Sequence, residues 1–304
     1  MTEKDTSPNA QAWILMIVLS VLWGSAFLLA SRSLEVFSPY IVTCLRMLFA
    51  AVVLSFFFFP HFRKIPKEKW VYILISGYMG FLAPFLLYVI GQTHIRSSMA
   101  GVLMSLNPAL TFLVAVMVFK IEWKITQLAG VLIGFAGCMI IGFVGADGGF
   151  GDFNFYILYL VAAMVLFSFS VNIIKAKLAD VDAVLIVAAS FVVIAPACII
   201  YLVASDFPVV MSSHPDAWKY LGYTAILGAI STGIPYVMYY KVILLSNVVF
   251  ASTANYYTSL VALLLGIFFG EKVYPLDYMG MILILVGVLI VGLKWKHHHF
   301  LHRI

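Results

Sequence analysis

Charge is scarce in this chain: 18 Lys and Arg with 13 Asp and Glu make up only 10% of 304 residues, where a soluble domain carries roughly 25%. That scarcity excludes an ordinary cytosolic enzyme, a disordered tail and a nucleic-acid binder. Cysteine is equally sparse. Cys44, Cys138 and Cys198 each lie within an apolar run, an odd set without the spacing of a disulfide framework or a metal site, so neither metal nor cofactor is expected. No Gly-x-x-x-x-Gly-Lys segment occurs, which argues against ATP-driven pumping by this chain. What fills the sequence is apolar: 64% of residues, with a mean hydropathy of +1.08.

A membrane crossing needs about 20 mostly apolar residues, and ten stretches meet that requirement, near 11–31, 38–59, 70–92, 97–119, 125–145, 154–174, 183–204, 217–240, 247–269 and 275–294. None shows the strict alternation of a barrel strand, so all ten are expected to be helices. The first is too long and too weakly basic at its start for a signal peptide and is expected to be retained. With the N-terminus cytoplasmic, the inner loops hold 13 Lys and Arg and the outer loops only Arg32, Arg96, Lys219 and Lys272. The positive-inside rule then places both termini in the cytoplasm. Most of the net charge of +5 serves topology, and His297, His298, His299 and His302 read as a solvated tail beside anionic lipid rather than a metal site.

Gly130, Gly137 and Gly142 recur as Gly280, Gly287 and Gly292; Pro84 and Tyr88 recur as Pro235 and Tyr239; Glu122 recurs as Glu271. The offsets agree closely, so the chain reads as two five-span units, 1–146 and 147–304, broken at the glycine-rich segment 145–152. Five is odd, so the second unit enters the membrane from the opposite side. Inverted repeats are a feature of secondary transporters, whose two halves exchange inward-open and outward-open arrangements around a site between them. The expected fold is therefore all-α and integral to the membrane, ten helices in two inverted five-helix repeats around a central cavity.

The opening run Leu22-Trp23-Gly24-Ser25-Ala26-Phe27, the arginine in Leu45-Arg46-Met47, Ser105-Leu106-Asn107-Pro108 ahead of Glu122, and Gly270-Glu271 before the last span stand in a distinctive order. This order resembles the drug/metabolite transporter superfamily, specifically its ten-span EamA-type members, over nearly the whole chain. The resemblance implies export or uptake of small metabolites such as amino acids, and allows dimer contacts through the fifth and tenth spans. The second half departs from the first, with Tyr256-Tyr257 where Asn107-Pro108 stands and Ser190 where Arg46 stands.

Arg46 is the only formal charge well inside a span, where a cation costs at least about 2.5 kcal/mol on the insertion scale. It either binds a substrate carboxylate or gates the cavity, or else it bonds helix carbonyls and locks packing. No carboxylate lies deep in any span, which argues against proton exchange through this protein's own side chains. Ser25, Asn107, Asn172, Ser168, Ser231, Thr232 and Asn255 are polar and deep; the hydroxyls fit helix packing or a cavity wall, with Ser25 a candidate substrate contact, and the amides, which donate and accept, suit a zwitterion. Trp23, Tyr78, Tyr88, Tyr239, Tyr256 and Tyr257 are candidates to face the cavity, Tyr88 and Tyr239 foremost because each follows an equivalent proline by one turn; Trp13 and Trp295 read as interface anchors. Pro84, Pro108, Pro196 and Pro235 are candidate hinges. Glu122 and Glu271 read as caps or partners of Lys124 and Lys272, with a gating role as the alternative.

These features point to a transporter in the cell inner membrane, monomeric or homodimeric, moving a small amino-acid-like, zwitterionic or amphipathic solute by alternating access, with export favoured. A channel or scramblase-like conductor is the alternative. A membrane-embedded lipid-modifying enzyme fits less well, because no paired carboxylates or metal cluster mark an active centre.

Overall fold

The computed structural model describes residues 9–120, 125–145, 147–245 and 254–292. The expectations for Glu122, Lys124, Trp295 and the histidine tail lie outside these residues. Helices dominate, and among the described residues the only β pairing is an isolated bridge between Val144 and Phe150. The ten principal helices are α1 (Ala10–Ser33), α2 (Pro39–Phe58), α3 (Lys67–Gln92), α4 (Ser97–Val118), α5 (Ile125–Gly142), α6 (Ile157–Lys177), α7 (Ala183–Ala204), α8 (Ala217–Tyr239), α9 (Ala254–Phe268) and α10 (Pro275–Gly292). The first eight are long and apolar enough to cross a membrane; α9 and α10 are apolar but shorter. A short helix, Phe207–Ser213, lies between α7 and α8.

Side chains that accept a backbone N–H mark several starts. Asn9 Oδ1 accepts from Ala12 at 2.8 Å, Ser38 caps α2 just before Pro39, and Asp182 Oδ1 accepts from Leu185 at 3.0 Å. Each satisfies a donor that the helix itself leaves open. Along the helices, large apolar residues face outward: Phe56 is 76% exposed and Phe268 82%. Such a surface is compatible with lipid, not with water.

Packing follows a two-fold pattern. Helix α2 lies against α7 and α5 against α10, while α1 packs on α8 and α9 as α6 packs on α3 and α4. Exchanging the first five helices for the last five maps this set of contacts onto itself. Several glycines of α5 and α10 face each other: a Cβ on Gly280 would lie 2.8 Å from the Gly137 carbonyl, and one on Gly287 would meet the backbone of Gly134. Their small residues let two backbones meet within one chain.

Helices α3 and α8 each widen into a π turn, Ser76–Leu82 and Ile226–Gly233, directly ahead of Pro84 and Pro235. A proline ring clashes with the carbonyl four residues earlier and supplies no N–H, so the preceding turn loosens. Both π turns press on a helix of the opposite repeat. Gly77 allows contact with the Ser190 carbonyl on α7, and Gly228 allows contact with the Arg46 carbonyl on α2. These paired contacts place Arg46 and Ser190 in equivalent positions, as the sequence alignment of the halves expects.

Candidate functional site

The buried cation is the natural starting point. Arg46 is 7% exposed, and among the described residues it makes no ion pair. Its Nε donates to Thr232 Oγ1 at 2.9 Å, and its guanidinium lies over the Phe85 ring, 4.0 Å from the centroid. Stacking on an aromatic face and one hydrogen bond orient the group. Among the described residues the Nη1 and Nη2 ends of the fork carry no hydrogen bond.

Aromatic rings surround this position. Tyr236 packs edge-on to Phe81 at 5.3 Å and to Trp23 at 5.7 Å, Trp23 meets Tyr239 at 5.5 Å, and Phe81 meets Phe191 at 4.6 Å. Helices α1, α3, α7 and α8 supply these rings, so the cluster lies between the repeats. Thr232 belongs to the α8 π turn, as does Ser231, whose hydroxyl pairs with Ser25 on α1 at 3.2 Å; Ser25 also donates to the Leu22 carbonyl at 2.9 Å. The related π turn of α3 meets α6 through a different position of the turn, Ser170 donating to Ser76 at 3.2 Å.

The other sequence candidates divide. Tyr88 and Asn107 are 6% and 7% exposed, and among the described residues neither the Tyr88 hydroxyl nor Asn107 Oδ1 has a partner. Unpaired buried polar atoms carry a cost, which marks both as able to accept or donate to something that enters. Asn172 instead spends its amide on the carbonyls of Ser168 and Thr111, at 2.9 and 3.4 Å, joining α6 to α4. Asn255 is half-buried in the first turn of α9, and Tyr256 packs on the apolar core formed by α4, α5, α6 and α10. Tyr78 is 42% exposed and continues the outward stripe of Val71 and Leu74, away from the ring cluster. Pro84 and Pro235 adjoin the π turns, Pro108 follows a 3-10 turn at Met104–Leu106, and Pro196 sits inside unbroken α-helix.

Sequence reasoning did not single out Phe81, Phe85 or Tyr236. Tyr236 had a signal, lying next to Pro235; the phenylalanines had none among 25.

Contacts between loops fasten the ends of the bundle. At the end bearing the α1–α2 and α3–α4 connections, Tyr220 donates to Glu35 Oε2 at 2.6 Å, and Arg96 bridges Asp277 at 2.8 Å and the Lys272 carbonyl. Glu271 accepts from the backbone N–H groups of Ser97 and Ser98, at 3.0 and 2.9 Å, and from the Ser97 hydroxyl. Of the roles expected for Glu271, it therefore fills that of a cap, at the start of α4, and it does not pair with Lys272. At the opposite end Lys69 bridges Asp180 at 2.8 Å and donates to the Lys177 carbonyl. The Tyr220 hydroxyl first, and then Arg32, hold the Glu35 carboxyl below its ordinary range, as Lys69 does for Asp180. A hollow of about 330 Å³ at the first end is lined by His94, Arg96, Asn154, Lys272 and Tyr274, and an apolar groove of about 190 Å³ by Tyr40, Cys44, Leu86, Cys198 and Tyr201. Neither is lined by Arg46 or Trp23, whose surroundings are filled by rings.

The model of the EamA-like transporter family matches residues 11–143 and again 154–293. Among curated proteins, the uncharacterized transporter YdfC of Bacillus subtilis is 26% identical over 50% of this chain and 48% of its own length. Protein PagO of Salmonella typhimurium is 25% identical over 40% of each, and the uncharacterized inner membrane transporter YhbE of Escherichia coli is 22% identical over 42% of this chain and 41% of its own. The matched region thus spans less than half the length of these relatives. A solved crystal structure superposes with a TM-score of 0.60, covering 94% of this chain and 97% of its own at 19% identity, a likeness of fold. With the family pattern present once in each half, on a helical bundle whose contacts obey the same two-fold exchange, the chain belongs to the EamA-like transporter family.

Proposed function

We propose that this protein moves a small carboxylate-bearing, amino-acid-like solute across the cytoplasmic membrane by alternating access, with net movement outward. The observation that carries the proposal is Arg46: a buried cation with no carboxylate partner among the described residues, its fork unspent. A charge taken out of water is costly unless paired, and a substrate carboxylate is the partner that would make the site most favourable when loaded. Bidentate pairing with a carboxylate is what the guanidinium geometry serves best. The Trp23, Tyr236 and Tyr239 rings offer apolar contact to the remainder of the solute, and π faces to an ammonium group. In this reading the repeats 1–146 and 147–304 rock against each other, and the basic loop Arg63–Lys69 faces the cytoplasm, as do both termini. The functional unit is a monomer or a homodimer.

The test uses purified protein in liposomes and three probes that differ in one group each: L-phenylalanine, 3-phenylpropionate and phenethylamine. Saturable, trans-stimulated flux is expected for the first two and not for the amine, with flux lost in Arg46→Gln at equal incorporation. Equal flux of the amine, flux unaffected by Arg46→Gln, or no flux of any probe above that of empty liposomes overturns the carboxylate anchor. Unsaturable conduction overturns the carrier.

A further inference from the structure

The hydroxyl of Thr232 has one proton to give, and it gives it to the Leu227 carbonyl, 2.7 Å away and five residues earlier. That spacing is the i to i+5 step of the π turn itself, so the side chain closes the widened turn alongside the backbone. The oxygen that remains accepts the Nε–H of Arg46 at 2.9 Å. Thr232 is therefore committed on both sides: it fixes Arg46 and it fixes the turn. Gly228 on the same turn lies against the Arg46 backbone, and Ser231 joins the turn to Ser25 on α1. One π turn is thus tied to the side chain and main chain of Arg46.

The equivalent turn in the first repeat lacks the link. The offset of 151 that relates Pro84 to Pro235 puts Phe81 in the place of Thr232, and the position related to Arg46 is Ser190, whose buried hydroxyl has no partner among the described residues. The same offset pairs Ser231 with Gly80, which lies against the Ser170 hydroxyl but has none of its own, and among the described residues no bond matches that of Thr232 with Arg46. Symmetric architecture here carries an asymmetric connection.

We propose that Thr232 is a positioning residue that holds the Arg46 fork toward the solute and couples its occupation to the π turn of α8, so that loading the site is sensed at Ile226–Gly233 and not at Ser76–Leu82. The inference rests on the reading of Arg46 as the carboxylate anchor. A π turn holds a register that an α-helix does not, and a change of one hydrogen bond at its closing residue shifts the balance between the two. Arg46 drawn toward a carboxylate alters its bond to Thr232, and the Thr232–Leu227 closure is the next bond along.

Thr232→Val keeps shape and removes both bonds; Thr232→Ser keeps them. With L-phenylalanine as probe, Thr232→Val is expected to raise the half-saturating concentration about tenfold, the loss of one charge-assisted hydrogen bond, while maximal flux per incorporated protein changes less. Thr232→Ser is expected to restore the parent value. Amide hydrogen exchange in nanodiscs gives the readout that mere packing would not move: L-phenylalanine should alter protection across 226–233 in the parent and in Thr232→Ser, not in Thr232→Val, with 76–82 unaltered in all three. Should Thr232→Val fail to reach the membrane, Thr232→Ala takes its place. Unchanged half-saturation together with retained probe-dependent protection in the valine or alanine variant overturns the coupling and leaves the anchor standing. Saturation by L-phenylalanine that survives Arg46→Gln overturns the anchor, and the coupling with it.

Discussion

Gly228 lies against the main chain of Arg46, so close that a Cβ there would stand 2.6 Å from the Arg46 carbonyl oxygen. The contact sets the distance between α8 and α2 and so decides where the Arg46 side chain begins. Substituting Gly228 with alanine is expected to destabilise the protein by about 1–3 kcal/mol through overpacking. Gly222, two turns earlier with nothing within 4 Å, is the control, and Gly222→Ala should leave the melting temperature in detergent essentially unchanged or slightly raised. A Gly228→Ala protein as stable as the control would contradict the close packing.

Arg46→Lys separates charge from geometry. The ammonium keeps the positive charge but has neither the planar fork nor the Nε–H that meets Thr232. Carboxylate probes are expected to bind about tenfold more weakly than to the parent and more tightly than to Arg46→Gln, measured as the solute concentration giving half-maximal thermal stabilisation. Equal affinity for the lysine and arginine proteins would show that charge alone suffices.

The buried hydroxyl of Tyr88 has no hydrogen-bond partner among the described residues. Removing it in Tyr88→Phe deletes an unsatisfied polar group, and stability is expected to stay level or rise by about 1 kcal/mol. A clear fall in melting temperature would reveal a partner for the hydroxyl.

Asp277 is fully buried and holds both Arg96, at 2.8 Å, and the backbone N–H of Tyr274, at 2.9 Å. Asp277→Asn leaves the half-buried Arg96 without its counter-charge, and a loss of about 3 kcal/mol is expected. Glu271→Gln, which weakens the cap on Ser97 and Ser98 but strands no cation, should cost about 1 kcal/mol. Reversal of that order in thermal denaturation would contradict the assignment of roles.

Lys69 lowers the carboxyl of Asp180 below its ordinary range. A depressed carboxylate contributes stability above its unfolded pKa and loses it as pH falls through the folded value. The bridge between the start of α3 and the α6–α7 loop should therefore contribute equally from pH 5 to pH 8, and disappear only below about pH 4. The difference in melting temperature between the parent and Asp180→Asn is expected to be small, flat over that range and closing in acid. A difference that already vanishes at pH 6 would contradict the depressed carboxyl.

Much of the architecture could be read from spacing alone. Recurrent glycines, the Pro84–Tyr88 and Pro235–Tyr239 pairs and the Glu122–Glu271 match announced two repeats, because residues that hold helices together recur wherever the same helix recurs. Lone charges were equally legible, since Arg46 stands out against any apolar run. The partners were not. Thr232 lies 186 residues from Arg46, and Phe81 and Phe85 are two phenylalanines among 25. Tyr78 and Tyr88 occupy one helix and are the same residue type, yet one faces outward and the other is buried.

The sequence by itself determined the solvent, the helical class, the repeat and the presence of one deep cation, all local or periodic properties that free energy of transfer fixes without reference to neighbours. Only the tertiary structure decided which face of each helix turns inward. A helix immersed in lipid is apolar all round, so hydropathy gives no inner stripe to read, and the choice falls to close contacts such as Gly228 on Arg46 and to single hydrogen bonds such as that of Thr232.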